Sequence, residues 1–232
     1  MPTERTAMGQ GIGEVLTYAA AVAISLLAII AVILMLFSSR AKVNGPAFVA
    51  GWMIALTVVF GVVYVLSNQG NASTSSTTTD TISWGKIVFG VLLLLLAARG
   101  WRNRPAPDTE PEMPKWMASI DTLSPAKAFG FGAAMAGVNP KNLLLTVAAA
   151  AGLAQLGLST SEAVVSMIVF VVIASSTVAG PVVYYFLGGE HAKAALDSMK
   201  GWLAIHNPAV TAVLILVFGV DLIAKGLPPL TS

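Results

Sequence analysis

The chain has no cysteine, two histidines and few charges: 13 Lys+Arg and 11 Asp+Glu in 232 residues. Without cysteine there is no disulfide scaffold, thiolate metal site or cysteine nucleophile. Charged residues make up 10% of the chain, against about 25% in soluble domains. So few charges cannot cover a soluble surface, which excludes a soluble globular enzyme. The net charge of +2 is too small for a nucleic-acid surface, so nucleic acid is excluded as a partner. No H-E-x-x-H, G-x-S-x-G or C-x-x-C motif occurs. The apolar segments hold no pair of carboxylates that could share acid–base work. The expectation is therefore a protein that is not an enzyme and that carries no cofactor and no metal.

Apolar residues are abundant, at 56%, with a mean hydropathy of +0.80. This points to an all-α integral membrane protein. A bilayer crossing needs about 20 apolar residues. The candidate spans are Val15–Phe37, Pro46–Leu66, Trp84–Trp101, Phe129–Leu158, Ala163–Leu187 and Ala209–Ala224. No basic segment precedes the first run, and that run is long, so it reads as a spanning helix rather than a cleaved signal. The third run has a Trp at each end, with Lys86 and Arg99 just inside, as interfacial anchors do. The fourth is too long for one straight span and contains Asn139-Pro140-Lys141-Asn142.

The expected organisation is six transmembrane helices as two inverted three-helix repeats. Residues 1–100 form the first repeat, 101–127 a Pro-rich cytoplasmic linker, and 128–232 the second repeat. Near 189–205, Ala192, Ala195, Leu196, Met199, Trp202 and Leu203 recur at helical spacing opposite Glu190, Lys193, Asp197 and Lys200. Two readings are open for this amphipathic helix: it lies in the membrane interface, or it packs on the protein. Lys and Arg concentrate on the odd-numbered connections, at Arg40, Lys42, Arg99, Arg102, Arg104, Lys115, Lys127, Lys193 and Lys200. The positive-inside rule then places both termini outside.

Ionisable groups within a membrane are functional candidates by default. Lys141 is the clearest. Either the fourth span starts near it and the lysine snorkels, or the helix breaks there. In the second case Pro140 interrupts the backbone hydrogen bonds, Asn139 and Asn142 satisfy freed groups, and a new helix N-terminus joins Lys141 in an anion-attracting spot. Asp221 is either an interfacial carboxylate paired with Lys225 or a counter-charge or proton carrier. Glu14 reads as a charge favourable to a helix N-terminus. Gly130, Ala134 and Gly137 form a small-residue face for close helix packing. His191 and His206 lack a third ligand.

The two halves can be aligned at their first helices, with Ile24-Ser25-Leu26-Leu27-Ala28 opposite Val138-Asn139-Pro140-Lys141-Asn142. The run from Ala23 to Gly45, ending Ser38-Ser39-Arg40-Ala41-Lys42-Val43-Asn44-Gly45, is followed by Ala47-Phe48 and Gly51-Trp52. It resembles the first two helices of the peptidoglycolipid-addressing (GAP) and sulfolipid-addressing (Sap) proteins. These are actinobacterial, chiefly mycobacterial, relatives of the lysine-exporter (LysE) superfamily. Gly137-Val138-Asn139-Pro140-Lys141-Asn142 resembles the second-half motif. The family pattern has prolines near Leu26, Ala28 and Ser39, which this chain lacks; the signal for a matching break at Ser25 goes with them.

The resemblance implies a multi-pass bacterial inner-membrane protein that helps to move an envelope glycolipid outward. The expected site lies between the first and fourth helices. There Asn139 and Asn142 offer hydrogen bonds, Pro140 the break, Lys141 a charge for a headgroup, Ser25 the facing position and Asp221 proton coupling. Expected partners are a membrane lipid or glycolipid, lipid-export or synthesis machinery, and a second copy of the chain as a homodimer. A small-solute exporter and a non-transporting scaffold for a larger lipid transporter are the alternatives.

Overall fold

The computed structural model describes residues 2–73 and 123–226, with isolated positions between 88 and 120. Among them are six helices: α1 Pro2–Ala23, α2 Leu26–Leu36, α3 Ala41–Ser73, α4 Pro125–Gly137, α5 Pro140–Ala154 and α6 Thr160–Gly226. No strand occurs among the described residues. Within α6, Gly189 takes φ 53°, ψ −136°. This is a conformation open to glycine and strained for other residues, and it divides α6 into two arms.

Among the described residues two stretches are long and apolar enough to cross a membrane, Ala41–Gln69 in α3 and Thr160–Gly189 in α6. They contain the expected spans at Pro46–Leu66 and Ala163–Leu187. A third crossing results if α1 and α2 count as one, but the pair is bent by 55°. The expectation of one uninterrupted helix over Val15–Phe37 is thereby corrected. Ser25 N–H donates to Ala23 O at 2.8 Å, and the next ladder starts with Ala28 and Ile29 N–H both donating to Ser25 O. The expected fourth span, Phe129–Leu158, is divided between α4 and α5. The expected third, Trp84–Trp101, lies largely outside the described residues. Ala209–Ala224 has helical backbone within α6.

Rows of apolar side chains at i, i+4 spacing build the core. Phe48, Trp52, Leu56 and Phe60 of α3 are buried, as are Leu145, Ala149 and Leu153 of α5 and Phe170, Ala174 and Val178 of α6. Phe60 and Phe170 stack at 5.0 Å between ring centroids. The opposite side of α3 is also apolar, with Ile54, Val58, Val62 and Val65 exposed. A helix apolar all round that is only half covered by protein suits a lipid environment.

Helices α3 and α4 cross backbone to backbone. A methyl group at Gly51 would collide with the Phe129 carbonyl, and one at Gly132 with the Phe48 carbonyl. This contact sets the rotation of α4 and buries Ala128, Gly132 and Ala136. The expected face was Gly130, Ala134 and Gly137. Of these, only Gly137 lies near α3, within van der Waals reach of Ala55 and Val59, while Gly130 faces open space and Ala134 is exposed.

The turn before α6 carries Gly157 at φ 60° and then a capping box. Ser159 N–H and Oγ–H donate to Glu162 Oε2 at 2.9 and 2.7 Å. The Ser-x-x-Glu spacing places the carboxylate where it can reach back to the helix entry. After Gly189, Ala192 and Leu196 are buried and Met199 packs on the core, so the second arm is packed on the protein over these turns. The Trp202 and Leu203 side chains lie outside the described residues.

Candidate functional site

The two helix interruptions meet. On one side, α4 ends at Gly137 and α5 begins at Pro140. Asn139 is the N-cap, its side-chain oxygen accepting from Lys141 N–H at 3.1 Å. Pro140 occupies the first helical position, where a missing N–H and a fixed φ suit a helix start. Its effect is thus to begin α5 rather than to distort a continuous helix. On the other side, α1 ends at Ala23 and α2 begins at Leu26, with Ser25 in the N-cap position. The aligned positions coincide: Ile24 and Val138 are the linking residues, Ser25 and Asn139 the N-caps, Leu26 and Pro140 the first residues of the new helices.

The ammonium of Lys141 donates to Ala21 O at 3.0 Å and to Ile24 O at 2.8 Å. Ala21 belongs to the last turn of α1 and Ile24 is the linking residue just after it, where helix-end carbonyls have no onward helical partners. The negative end of the helix dipole favours a cation there. Thr177 of α6 donates its hydroxyl to the Ala23 carbonyl between them. Asn142 donates through Nδ2 to Ser25 Oγ at 3.2 Å and to Met135 O at 3.0 Å. It therefore ties α5 to both the α1–α2 break and the last turns of α4. Thr146, one turn on, donates to Asn142 O at 2.7 Å.

The centre of the junction is enclosed, while Ile24 and Pro140 at its edge are exposed. Lys141 is 7% exposed and Asn142 fully buried. Among the described residues no carboxylate lies within ion-pair distance of Lys141, whose contacts are to neutral carbonyls. An ammonium has three donors, and two are used. Asn142 Oδ1 is buried without a hydrogen-bond partner among the described residues, as is Ser175 Oγ on α6. The arrangement can hold helix ends together and leaves a donor and an acceptor uncommitted.

The structure thus brings Ser25, Asn139, Pro140, Lys141 and Asn142 to one junction. The reading of Lys141 as a residue that snorkels to the membrane surface is corrected: its head turns inward, to the carbonyl groups exposed by the α1 break. Asp221 is on the distal arm of α6, and its side chain lies outside the described residues. Glu14 is half-buried against Gly152, where a methyl group would strike its carboxylate. Sequence reasoning missed Thr177, although Ser175-Ser176-Thr177 is a conspicuous polar triplet inside an apolar span. The Ala21, Ala23 and Ile24 carbonyls carried no signal at all, because every residue has one.

The junction spans both halves of the chain, and so does a family relationship. A family model described as SfLAP: Sap, sulfolipid-1-addressing protein, matches residues 15–228. The chain belongs to this family. The match to the Sap family covers both helix breaks and every residue of the junction. No curated protein and no solved structure matches this Sap-family chain.

Proposed function

We propose that this chain is a transporter, or an accessory to export, that moves an envelope glycolipid across the bacterial inner membrane. Sulfolipid addressing in the family's name supports the substrate class. The observation that carries the reading is the Lys141–Ile24 junction, in which the broken ends of two helices hold each other inside the membrane. Discontinuous helices are where transporters place substrate and moving parts, since freed backbone groups tolerate rearrangement when buried in protein.

In this reading the chain has six spans as two inverted repeats, with both termini outside. The equivalent break positions support the repeat. Lys141 closes the junction in the resting state, and its remaining N–H, with Asn142 Oδ1, meets a polar headgroup when α1–α2 and α5 separate. The order helix–break–helix–long helix recurs in α1–α2–α3 and in α4–α5–α6, as it would in a duplicated unit.

The test is mass spectrometry of lipids that co-purify with the protein extracted gently from its native membrane, wild type beside Lys141→Ala. The folded fraction of each is measured in parallel. A specific glycolipid on wild type, depleted from folded Lys141→Ala, is expected. Bulk phospholipid alone on both would overturn the reading in favour of a small-solute exporter or a scaffold. A topology reporter fused at Ser232 that is active only in the cytoplasm would refute the orientation.

A further inference from the structure

Beside the junction lies an apolar cleft of about 380 Å³. Ile29 of α2 and Thr177, Gly180 and Pro181 from the first arm of α6 form one side. Leu196 and Met199 from the second arm form the other. The cleft exists because α6 turns at Gly189, whose positive φ folds the second arm against the first. Its volume falls in the range of small-molecule sites, about 300–1,000 Å³.

We infer that this cleft is a slot for one alkyl chain of a membrane lipid, seated between α2 and the two arms of α6 with its polar end towards Thr177. The inference rests on the lipid reading above and adds where the chain would lie. The first-arm residues that form the cleft belong to the stretch Thr160–Gly189, which is apolar enough to cross a membrane. A cleft there opens to lipid tails rather than to water. Water has little reason to stay in it, because an ordered water needs two or more polar partners. A peptide segment is a poor occupant for the same reason: its backbone N–H and C=O groups would find almost nothing to bond. An alkyl chain has no polar group to satisfy, and it gains contact with walls on two sides.

Thr177 gives the slot a polar end beside the junction, and Tyr184 lies about 10 Å along the arm at its other end. Thr177 lines the cleft and donates its hydroxyl to Ala23 O, so its oxygen can still accept. Tyr184 also lines the cleft, is 44% exposed and makes no hydrogen bond among the described residues. Thr177 thereby connects slot and junction: it touches the chain on one side and the α1 carbonyl ladder on the other. A lipid held here would have its tail in the cleft and its head next to the Lys141–Asn142 cluster.

Gly180 supplies the decisive variant. It lines the cleft, and a Cβ added there meets nothing within 4 Å. Gly180→Leu should therefore fill the slot without disturbing packing, and the exposed Ala195, on the facing wall, gives a second such variant in Ala195→Leu. The full chain is reconstituted in vesicles of plain phospholipid doped with a phospholipid carrying a diazirine in its acyl chain. It is then irradiated and the labelled residues are mapped by mass spectrometry. The expected result is labelling of Ile29, Pro181, Leu196 or Met199 that saturates at low probe fraction and is lost in both variants. Labelling of the outward residues Val164, Ile168 and Val172 should rise in proportion to probe and stay unchanged. Cleft labelling that merely tracks those residues, or that persists in both filled variants, would overturn the slot. The readout is binding alone. Saturable cleft labelling that both filled variants lose, with no glycolipid export by the wild type, would uphold the slot and count against the export reading. Export that depends on Lys141 with no cleft labelling would do the reverse.

Discussion

Lys141 Nζ lies 2.8 Å from the carbonyl oxygen of Ile24 and 3.0 Å from that of Ala21, so the first turn of α5 caps the last turn of α1. One helix break is completed by the side chain that begins the next. The lysine sits at the carbonyl end of a helix, where preformed acceptors and the helix dipole favour a cation.

Lys141→Met should therefore lower stability as well as activity. It keeps the apolar stem but leaves the buried Ala21 carbonyl and the part-buried Ile24 carbonyl without the lysine donor, at a cost of about 1–3 kcal/mol. Thermal unfolding in detergent should show a reduced midpoint. An unchanged midpoint would mean that the ammonium contributes nothing to holding the junction.

Asn142 and Ser25 should be energetically coupled across the two halves. Ser25→Ala, Asn142→Ala and the double variant form a cycle. The expected coupling is at least about 0.5 kcal/mol, the lower end for residues in one hydrogen-bond network. Strict additivity in chemical denaturation would show that the 3.2 Å contact adds nothing.

Glycines two positions apart on α4 should behave oppositely. Gly132→Ala forces a methyl group into the Phe48 carbonyl and should destabilise by about 1–3 kcal/mol, the usual range for overpacking. Gly130→Ala meets open space and should be neutral or mildly stabilising through helix propensity, by up to about 1 kcal/mol. Unfolding midpoints of the two variants check this directly. Equal effects would place the α3–α4 contact elsewhere.

Ser159→Ala should cost about 1 kcal/mol, as loss of an N-cap usually does, because the hydroxyl bond to Glu162 is lost with the cap. Faster hydrogen exchange should be confined to the start of α6. Exchange unchanged at residues 160–163 would contradict the role of the capping box.

Much of this protein follows from composition and local chemistry. Scarce charge and long apolar runs specify an all-helical membrane chain, because only internally hydrogen-bonded segments survive in lipid. Asn139-Pro140 announces a helix start through a side-chain acceptor and a fixed φ, properties that a residue carries wherever it is placed. The capping box at Ser159 and Glu162 is local in the same sense. The break at Ile24–Ser25 is of another kind. No proline or glycine marks it, and the surrounding Ala, Val, Ile and Leu would support an unbroken helix. It persists because Lys141 and Thr177, each more than a hundred residues away, donate to the carbonyls that the opened turn has freed, while Asn142 holds the Ser25 hydroxyl. Likewise, the face of α4 that packs was decided by where the α3 backbone could approach, at Gly51 and Gly132. Small residues are plentiful along α4, and only the crossing itself selects among them.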